Sequence, residues 1–169
     1  MNFQHNQINP IPNQNRQQNI INQVYYLPIN KLLSWASTVL ELNELKNLNQ
    51  LTTGAVFCQL LDACHPNTVR MNKVNWKAKC ENDYISNFKL FQEGLNKNNI
   101  QKLIDVQRLI KGTQSKLTEL LQWIYGYYIN NKDNYKIYDA KKRRRMQNLE
   151  FSSKKKYKNK KQKNINKLE

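Results

Sequence analysis

Apolar residues begin to recur at helical spacing around residue 32 and stop doing so near residue 130. In "NKLLSWASTVLEL", Leu32, Trp35, Ala36, Val39 and Leu40 fall at i, i+3, i+4, i+7 and i+8, one buried stripe of a helix that Asn30 is placed to cap. The next block differs. Eight of the ten residues from Ala55 to Cys64 are apolar, with Gln59 and Asp62 the exceptions. A helix apolar on nearly every side belongs inside a bundle. Thr52 or Thr53 can cap its start, and Pro66 lies just past its end. In "ENDYISNFKLFQEGLNK", Tyr84, Phe88, Phe91 and Leu95 share one face. In "KLTELLQWIYGYYIN", Leu117, Leu120, Leu121, Ile124, Tyr127 and Tyr128 share another. A turn at 45–50 and a short helix near 105–111, ending at Gly112, fill the intervals. No alternating Val/Ile/Thr run suggests a strand. The pattern predicts an all-α bundle of four main helices plus short ones, its compact part spanning about residues 28–131.

Outside that span the composition changes. Residues 1–23 hold 13 Asn or Gln and little that could form a core, so residues 1–27 read as a disordered segment. The whole chain carries 28 Lys and Arg against 12 Asp and Glu, a net +16. Residues 139–169 hold 13 basic and 3 acidic residues, a net +10. The cations there come in two runs, Lys141, Lys142, Arg143, Arg144 and Arg145, then Lys154, Lys155 and Lys156 with further lysines behind. Like charges at this density repel and stay extended, so 139–169 reads as a basic disordered tail. Such a tail holds polyanions by electrostatics with little specificity, and nucleic acid is an admissible partner. The run at 141–145 also resembles a nuclear-localisation cluster.

Candidate chemistry is sparse. The glycines form neither a P-loop nor a dinucleotide fingerprint, and neither His5 nor His65 has a local nucleophile partner. Asp62 and Glu81 read as isolated acids on helices. Cys58, Cys64 and Cys80 lack the spacing of a zinc site and read as free thiols in the core. No run approaches the length of a membrane span. Non-enzymatic binding without a cofactor is the expectation. One candidate surface is "NKVNWKAK", Asn72 to Lys79. If 76–93 is helical, Lys77–Glu81 and Lys79–Asp83 are i, i+4 pairs that imply no ligand. Lys73 finds no such partner, because its i+4 neighbour is Lys77.

The blocks "LLSWASTVLELN", "LTTGAVFCQLLDACHP", "MNKVNWKAKCENDYISNFKLFQ", "VQRLIKG" and "LLQWIYGYY" resemble, in this order and at these distances, the calponin-homology domain of the end-binding family of microtubule plus-end-tracking proteins. The resemblance covers residues 28–138. It is most specific at Lys73, Val74, Ala78, Lys79, Tyr84, Ile85, Asn87, Phe88 and Lys89, and again in the "TGA-x-x-CQ" of 53–59. It implies a calponin-homology fold with 54–64 and 81–96 as central helices. It also implies binding to tubulin, on the microtubule lattice between dimers. By position, the lattice-contacting residues are Lys73, Lys79 and Lys102, with Arg108 and Lys111 on the same basic surface. A cytoplasmic protein on the microtubule cytoskeleton follows, with a role in microtubule dynamics or spindle organisation.

The chain departs from the family pattern at Asn72 and Thr113, where basic residues are usual, and at the "PIN" lead into the first helix. The heptads and acidic-aromatic ending of the family are not in the sequence, which implies a monomer. The tail is then expected to supply, by electrostatics, the avidity that dimerisation gives elsewhere. Two other readings stay open: a nucleic-acid-binding or nuclear protein acting through the tail, and an actin-binding calponin-homology protein.

Overall fold

The computed structural model describes residues 27–43, 45–131 and 138–144. Its order is α1 (Ile29–Val39), a 3₁₀ turn (Leu48–Leu51), α2 (Ala55–Cys64), a second 3₁₀ turn (Met71–Lys73), α3 (Glu81–Lys97), α4 (Val106–Ile110), α5 (Gln114–Asn131) and a last short helix, α6, at residues 140–144. No strand occurs among the described residues. Of the expected disordered segments, residues 1–26 and 145–169 lie outside them.

The architecture follows from α2. All ten of its residues are buried, so other elements must cover it on every side. α3 packs along it, with Phe57, Phe88 and Phe91 wholly inside and the Phe57 ring centroid 6.1 Å from each of the other two. Gly94 permits the approach. A Cβ there would lie 2.9 Å from side-chain carbons of both Leu61 and Val69. α5 covers another side with Leu117, Leu120, Leu121 and Ile124, the stripe its spacing predicts. α1 contributes Leu32, Leu33, Ala36 and Leu40, and Trp35 lies edge-on to Tyr125 and Tyr128 of α5 at 4.9 and 5.4 Å.

Helix starts differ from expectation in instructive ways. α1 is capped by Pro28, whose carbonyl accepts from Lys31 and Leu32, so Asn30 falls inside the first turn. α2 is capped by Gly54 at φ +76°, a left-handed conformation that glycine adopts without penalty. Thr53 reaches the Ala55 N–H only at 3.4 Å. α3 begins at Glu81 because Cys80 is extended, at φ −130° and ψ 162°. Lys77 and Lys79 therefore precede the helix, and the expected i, i+4 pairs do not form there. Glu93, farther along α3, pairs with Arg70.

Two further expectations are corrected. Cys58 and Cys64 are core residues, and burial pushes the Cys64 thiol up to about 12 and Cys58 higher still. Cys80, however, is exposed, because it stands at the helix cap and outside the apolar stripe. The expected boundary between residues 138 and 139 is not where packing ends. Ala140 is fully buried and residues 140–144 are helical, for reasons that lie in α2.

Gly54 provides a test of the α2 start. An added Cβ would combine φ +76° with an approach of 3.1 Å to the Phe88 ring. Gly54→Ala is expected to destabilise by about 1–3 kcal/mol, read as a lower urea midpoint at unchanged m-value.

Candidate functional site

Each cation that the resemblance marks for lattice contact has a definite place. Lys73 ends the second 3₁₀ turn, and Lys79 stands two residues before α3. Both side chains are exposed, as is that of Lys77. The backbone between them is held from behind. Val74 is wholly buried. Asn87, a fully buried polar residue of α3, accepts from the Asn75 N–H at 2.8 Å through Oδ1. Its Nδ2 donates to the Asn75 carbonyl at 3.0 Å and to the Thr53 carbonyl at 2.8 Å. Asn75 in turn accepts from the Lys77 N–H at 2.9 Å. Asp83 accepts from the Lys79 N–H at 3.1 Å, and that bond, with others from Cys80 and Asn75, holds the Asp83 carboxyl below its ordinary value. The segment thus presents lysines outward on a backbone fixed inward.

The second basic stretch packs on the same turn that Asn87 grips. Gly112, at φ +73°, sits where a Cβ would be 3.4 Å from Thr52, and Gln114 donates to Asn49 at 2.7 Å. Residues 49–54 therefore join 73–79 on one side to 111–114 on the other. Lys111, the C-cap of α4, is exposed. Arg108 is exposed in α4 and pairs with Asp105 at 3.3 Å, while Asp105 accepts from the Arg108 N–H as the helix cap. Lys102 is different. Its side chain is only 19% exposed; the ammonium lies 3.3 Å from Glu119 and 5.7 Å from the Trp123 ring centre. Lys116 also binds Glu119, at 2.9 Å, and with Lys102 it keeps that carboxyl below its ordinary value.

The residues expected to act as a charged tail divide sharply. Arg145, Lys154, Lys155 and Lys156 lie outside the described residues. Lys142 is exposed, and Lys141 pairs with Glu41 at 3.2 Å. Arg143 and Arg144 turn inward. Asp62, fully buried on α2, accepts from Arg143 Nε and Nη2, both at 2.7 Å, from the Tyr138 hydroxyl at 2.8 Å and from the Asn67 N–H at 3.2 Å. The Asp62 carboxylate raises the pKa of Arg143; burial, then Asp62, raises that of Tyr138. Asp62 is therefore no isolated acid. Its neighbour Gln59 donates to the Ala140 carbonyl at 2.8 Å and accepts from Arg144 at 2.9 Å.

Asn87 and the Asp62–Arg143 pair escape a reading of local pattern for one reason. Their partners lie 12 to 81 residues away. A faint signal exists for Asn87, which shares its helical stripe with Tyr84, Phe91 and Gly94, an unusual place for a polar residue unless its amide is satisfied. Asn87→Ala is expected to cost about 1–3 kcal/mol by stranding the groups it satisfies. Amide exchange at Asn75 should accelerate more than exchange in α5.

The sequence profile of the calponin homology (CH) domain matches residues 28–130. The microtubule-associated protein RP/EB family member 1C of Arabidopsis thaliana is 37% identical over 125 residues, which are 74% of this chain and 38% of that protein. The chain thus spans well under half the length of this relative. A solved structure described as the structural basis of microtubule plus end tracking by XMAP215, CLIP-170 and EB1 is similar at 32% identity and a TM-score of 0.64, over 69% of this chain and 97% of that one. With four main helices, a wholly buried α2 and these similarities, the chain belongs to the calponin-homology domain family, in its end-binding (RP/EB) branch.

Proposed function

We propose that this chain binds microtubules through its calponin-homology domain, docking on the lattice between tubulin dimers and acting at growing plus ends. The observation that carries the proposal is the segment 73–79, three exposed lysines on a backbone anchored by Val74, Asn87 and Asp83. Its support is the similarity to a microtubule-associated protein and to a structure concerned with plus-end tracking. An exposed ion pair by itself contributes about 0–1 kcal/mol. Lysines fixed in place before docking lose less freedom on binding than lysines on a loose loop, so their contributions survive as affinity. Arg108 and Lys111 extend the basic surface across the 49–54 turn. Lys102 takes part only by leaving Glu119 and Trp123, so its net contribution is smaller.

Co-sedimentation tests this with microtubules whose acidic tails have been removed and with DNA present as competitor. Binding is expected to persist, and Lys79→Glu or Lys73→Glu to weaken it about 10-fold or more, since like charges across an interface are strongly unfavourable. Lys102→Ala should weaken it less than Lys79→Ala. Binding that disappears with the tubulin tails, or that DNA abolishes while Lys79→Glu changes nothing, would replace this reading with nonspecific polyanion attraction through the basic segments.

A further inference from the structure

Arg144 lies at a junction of four elements. Through Nη1 it donates to the Leu40 carbonyl at the end of α1 and to Gln59 of α2, and through Nη2 to the Glu41 carbonyl at 3.1 Å. Its guanidinium carbon lies 5.6 Å from the centre of the Trp76 ring. Trp76 is the middle of the 73–79 segment, and its indole Nε1 is buried with no hydrogen-bond partner among the described residues. No polar contact therefore sets the orientation of that ring. Packing sets it, and the guanidinium supplies the cationic contact against it.

We propose that Arg144 is a positioning residue for the basic segment 73–79, fixing Trp76 and through it the presentation of Lys73 and Lys79. This rests on the reading of that segment as the microtubule contact. The seat of Arg144 is itself built. Ala140 is fully buried, its carbonyl is taken by Gln59, and Arg143 is clamped on Asp62. The run "KKRRR" thus contains a strap, and Arg144 is the residue that reaches the binding segment. Three of its N–H donors are held by protein carbonyls, so it is turned inward and is not free to form an ion pair across the interface. Loss of Arg144 should lower affinity without lowering the number of ionic contacts made on docking, which is what the salt dependence reports.

Microtubule affinity is measured over a salt series for the wild-type chain, Arg144→Gln, Arg144→Lys and Lys142→Gln, the last removing an exposed cation from the same helix. Arg144→Gln is expected to lose about 2–10-fold in affinity, the scale of a cation–π contact, at the wild-type salt slope. Arg144→Lys should still bind more weakly than wild type, because an ammonium keeps a cation near the ring but lacks the planar fork that holds Leu40, Glu41 and Gln59 at once. Lys142→Gln should stay near wild type. In ¹⁵N-edited spectra of the unbound protein, the Trp76 indole resonance should shift in both Arg144 variants while those of Trp35 and Trp123 hold. Wild-type affinity for Arg144→Lys, or a shallower salt slope for Arg144→Gln, overturns the proposal in favour of a direct charge effect. If the Arg144 variants do not fold, Trp76→Leu decides, since it keeps every cation: undiminished affinity overturns the proposal, and weaker binding at unchanged slope supports it. Failure of the wild-type chain to bind microtubules would sink the proposed function, and the Trp76 resonance would still judge the contact.

Discussion

A helix enclosed on every side leaves its polar side chains with no water to turn to. In α2 this applies to Gln59 and Asp62, both fully buried. An ionised carboxylate can stay inside a protein only if it is paired and its lone pairs are satisfied. Asp62 meets that demand with four donors, three of which come from Tyr138 and Arg143, far along the chain. Gln59 does the same with Ala140 and Arg144. Removing one partner of a buried pair costs about 3–5 kcal/mol, because the other is left uncompensated. The domain therefore cannot close at the end of α5. Through Tyr138, Ala140, Arg143 and Arg144, the segment 138–144 completes the surroundings of α2.

The same logic shapes the basic segment 73–79 from the other side. Residues 73–80 contain no α-helix, so their backbone groups need partners elsewhere. Asn87 satisfies both backbone groups of Asn75, and in doing so ties the segment to Thr53 and to the start of α2. One buried amide thus couples a surface loop to the central helix. The cations themselves need no internal partner and remain in solvent. Lys102 shows the contrasting arrangement, a cation already committed to Glu119 and an aromatic face. Basic residues of one nominal surface therefore differ in how much must be given up before they can contact anything else.

What could be read from the sequence was whatever depends on short range. The α1, α2, α3 and α5 stripes are periodicities of three and four, and the buried residues Leu32, Ala36, Phe88, Phe91, Leu117 and Leu121 fall on them. The exposed placement of Lys73 and Lys79 was also legible, through the motif that contains them. Helix starts were less so. Asn30 and Thr53 have the chemistry of caps, but Pro28 and Gly54 hold the backbone angles, and geometry decided. Cys80 shares its residue type with two core cysteines, and residue type does not report that the helix begins one position later.

The "KKRRR" run shows why composition misleads where partners are distant. Charge density predicts repulsion and extension only when every cation faces the same medium. Here its first four residues, 141–144, are wound into a helix, which sends successive side chains in different directions. Lys141 goes to Glu41, Lys142 to solvent, Arg143 to Asp62 and Arg144 to Gln59 and the end of α1. The two that turn inward are both arginines, the cation whose fork can satisfy a buried carboxylate or several carbonyls at once and whose weaker hydration makes burial cheaper. Within 141–144 the order of lysine and arginine, invisible to a net charge, separates an outward pair from an inward pair. The inward pair is what brings the 140–144 helix against Trp76, and so places it beside the segment that carries Lys73, Lys77 and Lys79.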